Sequence, residues 1–357
     1  MSQRLAAYCA SRRQGSADVG PSDAPAGRID RFCELIGSGR AYEAMDGLFA
    51  YLSAQRAALP AAAWKDYIAQ VLLRHPICDW VHRDPLTARA YKKPLGDSGD
   101  AVLLDMVYFS RFGHGRVDAA GEAIFRYTID STSMRALRNR RRRLAALIDE
   151  TVSRCPHARI LALGAGHLRE IELSSLAARG FAGEIVAVDG DEECLAVIRY
   201  EYAEGGVRVV QASAESIAAH GLDLGRFDLV YAADAFECLE QPTATRLAER
   251  MFAMLNPGGR MFIANFTVDI PDAGYLESYM DWPRVYRDRR EMLALTQGIS
   301  KEGGAEIDFS FDGTRNLAYL LIRRGTGEAE TTSRHERLRQ LRSACRVEWL
   351  KRFARQR

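Results

Sequence analysis

Two glycines and an aspartate on successive apolar runs are the first residues here that could do chemistry. In RILALGAG the run from Arg159 ends on Gly164-Ala165-Gly166, and in EIVAVDGD the next run ends on Asp189-Gly190. Glycine has no Cβ, so the backbone can turn sharply and approach a ligand closely. An acidic residue at the tip of the following strand can accept both hydroxyls of a ribose. A dinucleotide site asks for a third glycine, which lets helix and strand pack while the helix N-terminus faces a pyrophosphate. That place is held by Arg169, and the Gly-x-Gly-x-Gly variant fails at Leu168. The glycine turn alone leaves three readings: a plain strand-to-helix turn, a dinucleotide site, or a site for an adenosyl cofactor.

The elements that must position these residues alternate. A helical pattern follows Gly166, then the strand ending on Asp189, a helix from Glu192 to Ala203 and a strand from Val207 to Glu215. FDLVYAADAFECLEQ supplies a fourth strand, and a helix from about Ala244 to Leu255 stops at Asn256-Pro257-Gly258-Gly259. Proline cannot continue a helix and glycine frees the chain to reverse. The strand RMFIANF comes next, then a helical segment from Val285 to Gly298. AEIDFSF and RNLAYLLIRR close the pattern, joined by the hairpin turn Asp312-Gly313-Thr314. The expected fold is α/β: a doubly wound, seven-stranded, mostly parallel sheet with an antiparallel terminal hairpin strand, plus an N-terminal helical cap.

At 357 residues the chain exceeds one such domain. Residues 1–27 are rich in Ser, Gly, Pro and Asp and are expected to be disordered; 28–127 form the helical cap; 128–325 form the Rossmann-like cofactor domain. Residues 326–357 make a basic amphipathic tail, with Leu338, Leu341, Cys345, Trp349 and Phe353 at helical spacing, suited to docking on its own domain or a second subunit. A net charge of +2 gives no mandate for nucleic acid. No apolar run reaches membrane-spanning length and no signal-peptide core is present, so a cytoplasmic setting without stable membrane insertion is expected. Seven scattered cysteines without CxxC spacing argue against a disulfide framework and a zinc site, so no metal is expected.

LALGAG, VAVDGD, VQASAE, FDLVYAAD and LNPGGRMFIANF, spread over about half the chain, resemble the class I S-adenosylmethionine-dependent methyltransferases. The resemblance implies S-adenosyl-L-methionine as cofactor. Gly164, Ala165 and Gly166 would face its methionine side, with Asp189 and Gly190 at the ribose, and Ser213, Ala214 and Glu215 at the adenine edge; Tyr231 on strand four joins this set. The segment His75 to Tyr108 resembles the region before the methyltransferase domain in bacterial relatives of 3-hydroxypalmitate methyl ester synthases. Those relatives carry Gly-Tyr-Pro-Gly-Asp where this chain reads Gly96-Asp97-Ser98-Gly99-Asp100. The same branch includes enzymes that cyclise S-adenosylmethionine to azetidine-2-carboxylate.

Chemistry at the acceptor end has several candidates. Asp234, after strand four, is placed as a base, needed only if the acceptor arrives protonated. The Asn/Asp-Pro-Pro-Tyr signature of many enzymes that methylate nucleic-acid amines is absent, which favours a small molecule. Asn139 is the one neutral residue in the run Arg138 to Arg143, otherwise read as a solvated helix face. Its amide could touch the sulfonium or carboxylate. Tyr275, Tyr279, Trp282 and Tyr286 follow strand five, where rings can surround a sulfonium by cation–π attraction or simply cover the sheet edge. Tyr279 is carried as catalytic, and Tyr91, Tyr108, Trp282, Tyr286 and Arg287 as substrate-pocket residues. His75 and His82 read as hydrogen-bonded core residues. The functions that follow are small-molecule methyl transfer in bacterial secondary metabolism, intramolecular cyclisation releasing methylthioadenosine, or a non-catalytic cofactor-binding subunit.

Overall fold

The computed structural model describes residues 25–113, 116–176, 181–202, 205–299 and 304–326. Its sheet has the order β3-β2-β1-β4-β5-β7-β6. The strands are β1 (Arg159–Leu163), β2 (Glu184–Asp189), β3 (Val207–Gln211), β4 (Phe227–Ala232), β5 (Leu255–Phe266), β6 (Glu306–Phe311) and β7 (Leu317–Arg323). Neighbours among β1 to β5 are parallel, and β7 lies antiparallel between β5 and β6. Asp312 fixes the final turn by accepting from the Thr314 and Leu317 amides, each at 3.0 Å.

Strands β1, β2 and β4 are buried on both faces, which is why they read as continuous apolar runs rather than alternating ones. Ile160 and Ala162 join one core while Leu161 and Leu163 join the other, the period of two that a strand imposes. Chain order reverses between β1 and β4. Open α/β sheets leave a crevice there, outside the carboxyl ends of the strands.

Among the described residues, seven α-helices and a π-helical turn (Ile68–Leu72) lie ahead of the long helix that enters the sheet: α1 (Pro25–Gly37), α2 (Ala41–Ala58), α3 (Ala61–Tyr67), α4 (Ile77–Val81), α5 (Pro85–Lys92), α6 (Ala101–Phe109) and α7 (Ala119–Thr128). The long α8 (Thr132–Arg154) leads into β1. Ile29, Leu48, Leu103 and Ile124 belong to the same apolar cluster as Ile160 and Phe262, so the helical region shares a core with one face of the sheet. Beyond β5, α12 (Ala273–Ser278) crosses α2 so closely that a Cβ on Gly274 would lie 2.8 Å from the Leu52 carbonyl oxygen. Arg56 grips both Glu277 oxygens at 3.0 Å across this junction.

Several sequence expectations are corrected. After Gly166 the described residues hold only a short 3-10 turn, Ile171–Leu173, instead of a helix. β3 ends at Gln211, because Ser213 caps α10 (Ala214–His220) by accepting from the Ser216 amide; Ala214 and Glu215 are therefore helical. α9 (Glu192–Glu201) and α11 (Gln241–Ala253) fall close to expectation. The segment Val285 to Gly298 contains only α13 (Arg289–Ala294), and β5 already begins at Leu255 with an irregular register opposite Phe227 and Leu229. The Arg138–Arg143 run is not a solvated face: Arg140 and Arg141 are buried with Leu137 and Leu144. Of the start expected to be disordered, residues 1–24 lie outside the described residues, as does the basic tail from 327, whereas Pro25 to Gly27 already belong to α1.

Candidate functional site

A cavity of about 270 Å³ opens at the β1/β4 switch point. Its floor is the turn after β1, where Gly164 (φ 63°) and Gly166 (φ 52°) adopt left-handed backbone that disfavours any side chain. Its rim at β2 is Asp189 and Asp191, and its wall at β4 is Asp234, Glu237 and Cys238. The roof comes from the helical region, through Asp97, Gly99, Asp100 and Leu104, and from α8, through Leu137 and Arg140. Trp282 and Arg284, after β5, close the far side.

Asp189 has two partners of its own: Oδ2 accepts from the Gly166 amide at 2.8 Å and Oδ1 from the Asp191 amide at 2.9 Å. Burial pushes its carboxyl up, against those two hydrogen bonds. Gly190 sits against Ser213, where an added Cβ would be 3.4 Å from the serine Cβ. Ala165 donates to the Val188 carbonyl at 3.1 Å, and with Tyr108 it lines a smaller recess on the other side of the glycine turn.

The position where a dinucleotide fold has its third glycine makes a clasp instead. Arg169 holds both oxygens of Asp105 on α6, at 2.8 and 2.9 Å, and also reaches Glu172 and Glu201. His167 Nδ1 lies 2.9 Å from Asp105 Oδ2. Burial opposes charge on Asp105, yet these bonds hold its carboxyl below the usual range. The clasp fixes α6, whose N-cap Asp100 contributes to the roof.

The β4 end of the cavity is an ionic cluster that the sequence did not reveal. Arg140 donates to the Ala233 carbonyl at 3.0 Å and lies 3.6 Å from Asp234 and 3.5 Å from Glu237. Arg284 pairs with Glu237 from the other side and stacks on Trp282, 3.9 Å from the ring centroid. Gly99 permits that arrangement, since a Cβ there would meet Trp282 at 2.6 Å.

The other expected site residues lie elsewhere. Asn139 donates to Asp312 Oδ2 at 3.1 Å and accepts from Arg142, tying α8 to the β6–β7 turn rather than lining the cavity. Tyr279 is buried beside Tyr275, and its carbonyl lies 2.9 Å from His82 Nε2. Tyr91 is exposed against the His82 ring, and His75 accepts from the Ile77 amide. Tyr231 is buried in β4 with its hydroxyl donating to Glu170, whose carboxyl burial pushes up. Tyr286 lies under the Arg56 guanidinium. Arg287 is a core clamp: it donates to the carbonyls of Phe236 and Leu239 and to Asn265 and Gln241. Tyr108 Oη lies 3.4 Å from Arg140. Of the expected set, Gly164, Gly166, Asp189, Asp234 and Trp282 meet at the main cavity.

Fold and cavity together define a doubly wound α/β protein with a crevice at its switch point and an N-terminal helical region. Residues 160–259 match the family described as Methyltransferase domain. Comparison with curated proteins finds no match. Among solved structures the chain is similar to a possible exported protein from Bordetella parapertussis, at 15% identity and a TM-score of 0.52, over 76% of this chain and 98% of that one. It is also similar to the 1,6-didemethyltoxoflavin-N1-methyltransferase of Burkholderia thailandensis, solved with S-adenosylhomocysteine, at 20% identity and a TM-score of 0.38 over 52% and 78% of the two chains. At 15% identity the likeness to the Bordetella protein is one of fold. Among the described residues no group of three or more His, Cys, Asp and Glu could hold a metal ion, and no helix is long and apolar enough to cross a membrane.

Proposed function

We propose that this chain is an S-adenosylmethionine-dependent methyltransferase acting on a small molecule. The observation that carries the reading is the switch-point cavity, with Gly164, Gly166 and Asp189 on its floor and rim, inside the span that matches the methyltransferase domain. The residues fit an adenosyl group: a Cβ at Gly164 would stand 3.3 Å from Asp234 Oδ1 and fill the passage between the two strand ends. When bound, the cofactor supplies a methyl group already activated on a sulfonium. The protein's task is then alignment and exclusion of water. Asp189 would receive the ribose hydroxyls, and the glycine turn would offer backbone to the methionine side. Asp234, with a third of its side chain exposed, stands at the end of β4 and can take a proton from an acceptor that arrives protonated. The resemblance of residues 75–108 to a bacterial biosynthetic branch supports a cytoplasmic role in secondary metabolism.

Calorimetry with S-adenosylhomocysteine tests the reading directly: binding is expected, and NAD is expected to give none. Binding of NAD with no response to the adenosyl compound overturns it. Incubation with S-adenosylmethionine alone, followed by mass spectrometry, is expected to release nothing until an acceptor is added. Enzymatic methylthioadenosine in that tube would establish the intramolecular cyclisation instead.

A further inference from the structure

The four charged side chains at the β4 end of the cavity do not satisfy one another. Arg140 spends its Nη atoms on the Ala233 carbonyl and Tyr108, and Arg284 Nη1 pairs with Glu237. Among the described residues the Nε of each arginine is buried without a hydrogen-bond partner, and so is Glu237 Oε1. Arg140 lies 3.5 Å from that oxygen, an ion pair without hydrogen-bond geometry. A buried donor or acceptor left unmade costs about 1–3 kcal/mol, and more when charged. Three such atoms in one cluster therefore point to a ligand. All three residues line the cavity.

The mixture of unmade donors and acceptor selects the ligand. A simple anion would serve the two Nε atoms and be repelled by Glu237 and Asp234. A simple cation would serve the carboxylates and leave both arginines unmade. Resting on the methyltransferase reading, in which the methionine side faces the glycine turn, we propose that the Arg140–Arg284–Glu237 end binds the acceptor through an α-amino-acid head group. Its carboxylate lies against the two guanidinium groups and its ammonium against Glu237 and Asp234. Trp282 is a positioning residue here, because its ring carries Arg284 on one side while Gly99 leaves room beside it.

The test uses the full chain saturated with S-adenosylhomocysteine. The common L-amino acids are added one at a time and the thermal midpoint is read. At least one is expected to raise it, while its carboxamide and its N-acetyl derivative do not. With S-adenosylmethionine present, the same amino acid is expected to release S-adenosylhomocysteine. Arg284→Lys, which keeps a charge opposite Glu237 and so preserves the fold, is expected to raise the KM of that amino acid roughly tenfold through loss of the planar fork. Its affinity for S-adenosylhomocysteine should stay within about twofold. Binding of S-adenosylhomocysteine with no response to any amino acid overturns the proposal alone. So does an equal loss of S-adenosylhomocysteine affinity in Arg284→Lys, which would give the cluster to the cofactor's own head group. Failure of the unaltered protein to bind S-adenosylhomocysteine overturns the methyltransferase reading and this proposal together.

Discussion

The Gly166 amide donates to Asp189 Oδ2 at 2.8 Å, so the tip of β2 holds the turn after β1 in shape. One carboxylate thus links two strand ends and stands on the cavity rim. Each hydrogen bond to a charged group is worth about 1.5–3 kcal/mol. Asp189→Ala is expected to weaken S-adenosylhomocysteine by roughly a hundredfold, since it would remove the proposed ribose acceptor and loosen the turn. Calorimetry checks this, and an unchanged affinity would remove Asp189 from the site.

Gly99→Ala tests the roof. Its Cβ would stand 2.6 Å from Trp282, a rigid ring already carrying Arg284. Overpacking of this kind costs about 1–3 kcal/mol. A lower thermal midpoint is expected, together with loss of turnover as Trp282 and Arg284 shift.

Asp84 makes the helical region pH-dependent. It is fully buried at the N-cap of α5 and accepts from Thr87 and Thr128 hydroxyls at 2.6 and 2.8 Å. Burial pushes its carboxyl from 3.8 to about 6. A carboxyl with a raised folded value binds its proton more tightly when folded. Its contribution is therefore present below the unfolded value and is lost as pH rises through about 6. Denaturant midpoints are expected to fall over that window by an amount equivalent to roughly 3 kcal/mol. Asp84→Asn should flatten this slope; an unchanged slope would assign it to other groups.

Asn139 joins Asp312 across 173 residues, and this contact anchors the terminal hairpin to α8. Asn139→Ala is expected to cost about 1 kcal/mol of stability and to leave S-adenosylhomocysteine affinity unchanged. A large loss of affinity in a folded variant would return Asn139 to the cavity.

The sheet and the glycine-turn end of the cavity were legible in the sequence. Continuous apolar runs such as ILAL and IVAV suit only strands covered on both faces, and the glycines before Ala165 and His167 mark a turn that side chains would disfavour. Asp312-Gly313-Thr314 required the antiparallel ending. These are local rules, in which a residue's own backbone preference decides the outcome. The β4 end was not legible, because pairing there is long-range. Arg140 lies on the stripe of Leu137 and Leu144, a spacing that signals burial, yet an arginine is buried only when its charge is matched. Its partners, the Ala233 carbonyl, Asp234 and Glu237, come from a strand end more than ninety residues on. Tyr279 and Arg287, chosen for their chemistry, went instead to the interior, where Tyr275 and His82 received the first and the carbonyls of Phe236 and Leu239, after β4, the second. Only the packing of the helical region onto one face of the sheet decided which polar side chains met at the cavity and which satisfied the interior.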